Sequence, residues 1–355
     1  MLGFSIFLTN PIAEEQKNYI ETMSGNGFKS IFTSLHIPEE DPTAYKERLQ
    51  ELGALAIKND LELMADISPQ SLGHLGFTWE NAEGLLQWGV TGLRVDYGVS
   101  EETIAALSRK MKIALNASTL TKESVEQLKQ SGIVMEQTEA WHNYYPRPET
   151  GLDRDGFNEM NRWLKEEGIS VMAFIPGDGQ KRGPLYEGLP TLEDHRGETT
   201  FVAFLDFEQN QWVDKILIGD PSLCEGSFQQ FLAYQRGVIQ LRAHCFTEDA
   251  SLQERCSQVQ TNRQDAARDV IRSVESRQYG LPGHHTLRPQ HTVDRPIGSI
   301  TIDNEKYGRY QGEMQVTKRF LAADEKVNVI GRIVDEDLPL LKYVTGGQKF
   351  EVKFT

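Results

Sequence analysis

The sequence predicts a (β/α)8 barrel followed by a small all-β domain. Three observations lead there. Over the first two thirds, eight short apolar runs alternate with amphipathic stretches. Both faces of those runs are mostly apolar, as parallel strands buried on two sides require. After about Arg236 the texture changes to short strand-like runs separated by turn residues, the mark of a compact barrel or sandwich.

The runs are GFSIFL from Gly3, KSIFTSL from Lys29, LELMADI from Leu61, LRVDY from Leu93, KIALNAS from Lys112, IVMEQ from Ile133, SVMAFIP from Ser170 and DKILIGD from Asp214. Between them Tyr45, Leu49, Leu52 and Ala56 form one helical stripe, and Phe157, Met160 and Leu164 another. Polar entries such as DPTAYKE and TKES precede such stretches. TTFVAFLDF from Thr199 is strand-like in residue type, but Phe201, Phe204, Leu205 and Trp212 recur at helical spacing; as a helix it supplies the seventh crossover. SFQQFLAY near Ser227 is the eighth. No GxGxxG follows the first run, which argues against a dinucleotide-binding sheet. In the later part VIQLRAHC, GSITIDN, GEMQVTKRF, VNVIGRIV, LPLLKYV and QKFEVKF are the expected strands, with a helix around DAARDVIRSVESR. The expected domains are 1–236 and 237–355, consistent with a 355-residue chain.

A composition of 39% hydrophobic and 25% charged residues suits a soluble globular protein with a sizeable core. The net charge of −15 argues against nucleic acid or an anionic membrane as partner, because both are polyanions. Cys224, Cys245 and Cys256 make neither a paired framework nor a zinc motif. The N-terminal apolar run is too short for a signal peptide, and no stretch is long enough to span a bilayer, so a cytoplasmic location is expected.

In a (β/α)8 barrel, catalytic groups sit at the C-terminal ends of the strands. That rule selects Ser34 and His36, Asp66 and Ser68, Asp96 and Tyr97, Asn116 and Ser118, Glu136 and Glu139, Pro176 to Gly179, and Asp220. Lys29, Lys112 and Lys215 fall at strand beginnings, so a Schiff-base aldolase is not indicated. Two loops exceed the roughly 2–6 residues usual after a barrel strand. TEAWHNYYPRPETGLD is aromatic and proline-stiffened, which suits stacking on a sugar and positioning His142, Asn143 and Arg147. PGDGQKRGPLYEGLPTLEDHR sets Lys181, Arg182 and Arg196 among glycines, at the place where barrels commonly hold phosphate. A metal on His36, Asp66 and His142 lacks any HxH or HExxH spacing, so neither a metal nor another cofactor is expected.

LRVDYG, NASTL, HNYYPRPETGL, FIPGDGQKRGPLYEGLPTLEDHR and IGDP resemble the bacterial 6-phospho-N-acetylmuramidases of the MupG type, and the likeness continues through TNRQDAARDVIRS and NEKYGRYQGEMQV to VNVIGRI. The resemblance implies a TIM barrel with a cyclophilin-like β domain. It also implies hydrolysis of N-acetylmuramic acid 6-phosphate from N-acetylglucosamine during cell-wall recycling, the partner being that small phosphorylated disaccharide. Such chemistry needs a carboxylic acid and a second group that stabilises an oxocarbenium-like transition state. Candidates for the pair are Asp66, Asp96, Glu136 and Asp220, with Asp96 and Glu136 favoured because strands 4 and 6 leave room for a sugar between them. The expected substrate contacts are His36, Asn116, His142, Asn143, Tyr145, Arg147 and Glu187; the expected phosphate contacts are Gly177, Lys181, Arg182, Gly183 and Arg196. A sugar-phosphate isomerase or epimerase and a non-catalytic sugar-phosphate sensor are the alternative readings.

Overall fold

A run in extended conformation satisfies its backbone groups only by lying beside other strands. The computed structural model describes residues 1–35, 44–95, 98–209, 212–279 and 286–355. In its first part β1 (Leu2–Ser5), β2 (Phe28–Ser34), β3 (Glu62–Ile67), β4 (Gly92–Val95), β5 (Lys112–Asn116), β6 (Thr138–Trp141), β7 (Ser170–Ile175) and β8 (Lys215–Ile218) run parallel. Leu2 of β1 pairs with Phe28 of β2 on one side and Ile216 of β8 on the other, so the sheet closes on itself without an edge.

The crossovers are α1 (Glu14–Gly25), α2 (Tyr45–Lys58), α3 (Pro69–His74), α4 (Glu101–Ser108), α5 (Lys122–Gln130), α6 (Arg154–Glu166), α7 (Thr200–Glu208) and α8 (Glu225–Gln235). Their starts are set by side-chain caps: Thr121 accepts from the N–H of Ser124 (3.1 Å), and Asp153 accepts from the N–H groups of Asp155 (3.1 Å) and Gly156 (2.9 Å). α7 is a helix, as its apolar spacing predicts. Where α2 meets the 3-10 helix of Trp79–Trp88 the backbones nearly touch. A Cβ on Gly53 would sit 1.6 Å from the Trp88 carbonyl oxygen, so only glycine fits.

The sixth strand corrects the sequence reading. It is Thr138–Trp141, not the preceding IVMEQ. Met135 spends its apolar surface in the helix layer, against the cluster of Ala117, Val125, Ala140, Leu164, Ile169 and Val171, and Met135–Gln137 form a single 3-10 turn.

The chain divides into two compact units, Met1–Cys224 and Glu225–Thr355. The division falls earlier than the expected 236/237 because α8 packs on the first strand of the second unit. That unit holds β9 (Val238–Cys245), α9 (Ala250–Ser257), β10 (Gln260–Thr261), β11 (Val270–Arg272), α10 (Val274–Tyr279), β12 (Ser299–Asp303), β13 (Met314–Thr317), β14 (Val327–Ile333) and β15 (Lys349–Phe354). They form one seven-stranded sheet, β10-β15-β9-β14-β12-β13-β11, antiparallel except between β9 and β15. Two expectations fail here. Within DAARDVIRSVESR, Val270–Arg272 pair with β13 as a strand and the helix begins only at Val274. LPLLKYV lies in a 3-10 helix, Asp335–Tyr343, where Pro339 lacks the N–H a strand ladder needs. The fully buried carboxylate of Asp337 anchors that helix on Arg242 (2.6 Å) and Gln230 (3.0 Å). Among the described residues no helix is long and apolar enough to cross a membrane.

Candidate active site

Alternate residues of a barrel strand face inward, so the interior is built in layers. The lowest layer is ionic. Lys215, 5% exposed, reaches Glu62 Oε1 (2.5 Å) and both oxygens of Glu139 (2.8 and 2.7 Å). Lys112 pairs with Glu62 and lies 3.6 Å from Glu139. Ser30 donates to Glu62 (2.9 Å) and the Trp141 indole N–H to Glu139 (2.7 Å). Burial alone would raise the Glu62 carboxyl; the two ammonium groups outweigh it and hold it below the usual carboxylate range. Glu139, expected near the mouth, therefore belongs to the floor. Above it Phe32, Trp141 and Phe174 pack as tilted and edge-to-face rings 5.1–6.4 Å apart, with Tyr144 on top, and close the barrel to solvent from below.

The next layer is the mouth. Asp66, at the end of β3, takes a hydrogen bond from the buried guanidinium of Arg94 (3.0 Å) and one from Ser34 (3.3 Å). Arg94 also donates to Asn143 Oδ1 (2.5 Å), and Asn143 Nδ2 donates to Ser118 Oγ (3.3 Å). Asn116 Oδ1 accepts from the Ser118 hydroxyl (2.7 Å) and N–H (3.0 Å). Strands β2 to β6 thus contribute to one connected polar network. Tyr145 borders it; burial raises its phenol, while Asn143 and Arg94 pull the other way. The network brings together Asp66, Asn116, Asn143 and Tyr145 from the predicted set. Arg94 lies outside the predicted set, although an arginine inside an apolar strand, two positions before Asp96, is itself a signal.

The two long loops are held by carboxylates, the buried Asp220 and the half-buried Glu193, which corrects several assignments. Asp220 has no exposed surface. Its Oδ2 accepts from the N–H groups of Gly177 and Leu189 (both 2.9 Å) and its Oδ1 from that of Arg182 (3.0 Å). Burial raises its carboxyl and these donors oppose the rise. A carboxylate so enclosed orders the loop after β7 and has no face for a sugar. The same bond uses up the Gly177 N–H, so Gly177 is not a phosphate donor. Arg196 is likewise committed: it forks onto Glu193 (2.7 and 2.8 Å) and donates to the carbonyls of Tyr145 (2.8 Å) and Gly188 (3.3 Å), joining the loops after β6 and β7. Arg196, with the N–H groups of Glu149 and Gly151, holds the Glu193 carboxyl down at about 2. Arg196 is a loop rivet, not a phosphate ligand.

Lys181 and Arg182 are the other two cations of the predicted phosphate set. The Arg182 guanidinium lies 3.7 Å from the ring centre of Phe7, in the loop after β1, which fixes it beside the mouth. Gly183 packs against the Tyr186 ring, 3.0 Å from its hydroxyl at the position of an added Cβ. Arg147 and Glu187 are exposed, and each offers its carbonyl to Arg196 (3.4 and 3.3 Å).

His142 and Glu136 are corrected too. His142 points out of the barrel into the helix layer: its Nε2 meets Asn161 of α6 (2.6 Å) and its ring packs on Phe157 at 4.7 Å. It is 2% exposed and cannot reach a ligand in the mouth, nor join Asp66 around a metal. Among the described residues no group of three His, Cys, Asp or Glu is placed to hold a metal ion. Glu136 lies exposed in the turn before β6, at the opposite end of the barrel from the mouth. His36, Asp96 and Tyr97 lie outside the described residues.

Burial presses the His142 pKa down to about 4, with Asn161 opposing and Arg94 adding to the fall. The unfolded chain, with a histidine near 6.5, binds the extra proton between these values, so stability is lost as pH falls from about 6.5 toward 4. The expected loss is roughly 3 kcal/mol at about 1.4 kcal/mol per unit. Urea unfolding across that window should show it, and His142→Gln should flatten the slope. An unchanged slope would place the acid sensitivity elsewhere.

A charged and hydroxyl-lined mouth over an aromatic plug, at the C-terminal end of a closed barrel, defines an enzyme of the (β/α)8 class with a site for a polar substrate. Profiles described as "6-phospho-N-acetylmuramidase, N-terminal" and "6-phospho-N-acetylmuramidase, C-terminal" match residues 2–233 and 239–353. The chain belongs to the 6-phospho-N-acetylmuramidase family, and is an enzyme of the muramidase-type glycosidase class. A crystal structure of a conserved protein of unknown function from Enterococcus faecalis is 46% identical, with TM-score 0.91 over 100% of this chain and 96% of that one. An uncharacterized B. cereus protein is 26% identical, with TM-score 0.73 over 99% of this chain and 98% of the other. No curated protein sequence matches.

Proposed function

We propose that the protein hydrolyses the bond between N-acetylmuramic acid 6-phosphate and N-acetylglucosamine, as a cytoplasmic step of cell-wall recycling. The observation that supports this most is the mouth network, in which Asp66 is fixed between Arg94 and Ser34 at the end of β3. Membership of the muramidase family supports the substrate class. Glycosidic cleavage builds positive charge on the sugar ring, and a carboxylate paired with an immobile guanidinium is oriented to meet it without reorganising. The proposed roles are therefore Asp66 as the stabilising carboxylate, acting on the ring or by orienting the 2-acetamido group, and Asp96 as the acid. Asp96 follows β4 directly in sequence, and β3 and β4 are neighbours. Arg182 and Lys181 take the phosphate.

The test is an assay on the 6-phosphorylated disaccharide beside its plain form. Turnover of the first with little of the second is the expected result; equal rates, or none, overturn it. Arg182→Ala should lose most of the preference. A charge-assisted contact is worth roughly 1.5–3 kcal/mol, or about 10–10² in kcat/KM. The loss should fall on the phosphorylated substrate, and a preference left intact would remove Arg182 from the phosphate site.

A further inference from the structure

We propose that the second unit carries its own ligand site, for a single sugar ring bearing a negative group. Between β14 and the start of α9 lies a cavity of about 240 Å³. That is somewhat below the roughly 300–1,000 Å³ of sites for drug-sized molecules, and it suits one ring. Its floor is apolar, from Leu252, Val329 and Ile330, all nearly buried. At its side stands Phe246, 49% exposed, which presents an aromatic face to solvent at the cavity's edge.

The wall beside it is stiff. Asn328 donates to the Arg288 carbonyl (2.8 Å) and accepts from the Gln290 N–H (3.0 Å). The Val329 N–H donates to the His291 carbonyl (3.2 Å). His291 has φ +52°, a left-handed conformation that a side chain with a Cβ adopts at a cost. Its ring is fixed from two sides: Nδ1 meets the Val329 carbonyl at 2.9 Å, and the ring stands edge-to-face to Phe246, 5.8 Å between centres. A carbonyl only accepts, so Nδ1 holds the proton and Nε2 of the neutral ring presents a lone pair. Arg288 is exposed on the same wall, and the carboxylate that also lines the cavity, Asp249, is engaged at the start of α9, where it accepts from the Leu252 N–H (3.1 Å).

These groups define the ligand. Phe246 offers a flat face to the C–H side of a pyranose, Nε2 of His291 accepts from a hydroxyl, and Arg288 donates to a carboxylate or phosphate. The choice of amino-sugar acids as probes rests on the proposed function; the cavity does not. The experiment titrates the full-length chain with N-acetylmuramic acid, its 6-phosphate and neutral N-acetylglucosamine by calorimetry, using wild type, Phe246→Ala and Arg288→Ala. Expected is a binding event for the anionic sugars that each variant weakens by at least about tenfold. Thermal stability and hydrolysis of the disaccharide should both stay unchanged. Isotherms that superimpose across the three proteins overturn the site. Neutral sugar bound as tightly, with no response to Arg288→Ala, overturns the anionic class. Hydrolysis is followed in the same preparations, so loss of the proposed reaction with retained Phe246-dependent binding is a separate result from the converse.

Discussion

Asp66→Asn is expected to lower kcat/KM by at least ~10²-fold, the scale for removing a positioned catalytic carboxylate. The substitution keeps the shape and one acceptor, but it leaves the Arg94 guanidinium, 5% exposed, without its counter-charge. Removing one partner of such a pair costs about 3–5 kcal/mol, whereas replacing both by apolar groups is often neutral. Instability alone could therefore mimic a catalytic loss, and the double variant Asp66→Asn with Arg94→Met separates the two. It should recover much of the unfolding free energy and none of the turnover. A double variant that regains both stability and rate would reduce Asp66 to a structural partner of Arg94, leaving Asp96 as the carboxylate to pursue.

Asp220→Ala should destabilise the barrel unit by about 3–5 kcal/mol, since three backbone donors lose their acceptor at once and each stranded group costs about 1–3 kcal/mol before relaxation. At roughly 2–4 °C per kcal/mol for a unit of this size, the melting temperature should fall by about 10 °C. Turnover should fall with it, because Leu189 and the Arg182 backbone leave their places. Asp220→Asn provides the control: it keeps one acceptor and should lie between. An asparagine variant that melts like wild type yet is inactive would return Asp220 to the chemistry.

Most of the barrel was legible because doubly buried strands carry an unmistakable pattern, and because a parallel sheet needs a crossover after each one. The failures share a cause. Ile133 to Met135 are as apolar as a strand, and only the tertiary packing of Met135 reveals that they belong to the helix layer. That slip moved Glu136 from one end of the barrel to the other. For charged residues the sequence states the charge but not the partner. Arg196 carries a cation at a plausible phosphate position, yet Glu193 three residues earlier neutralises it. Asp220 stands at the right strand end, yet its oxygens face N–H groups, which no side-chain pattern records. His142 sits one residue after Trp141, and the period of two turns it outward. The same period turns Arg94 inward, one residue short of the strand end.

The ionic floor of the barrel works as a combination lock. Its four charges come from β3, β5, β6 and β8, separated by up to 153 positions in the chain, and they cancel only when those strands are aligned. A slip of one residue on any of these strands would turn a lysine or glutamate toward the apolar helix layer and leave its opposite number stranded inside. Competing alignments that hydrophobic packing alone would tolerate are thereby penalised. The same coupling constrains the chain's descent: Glu62, Lys112, Glu139 and Lys215 can be exchanged for an apolar layer together, but hardly one at a time.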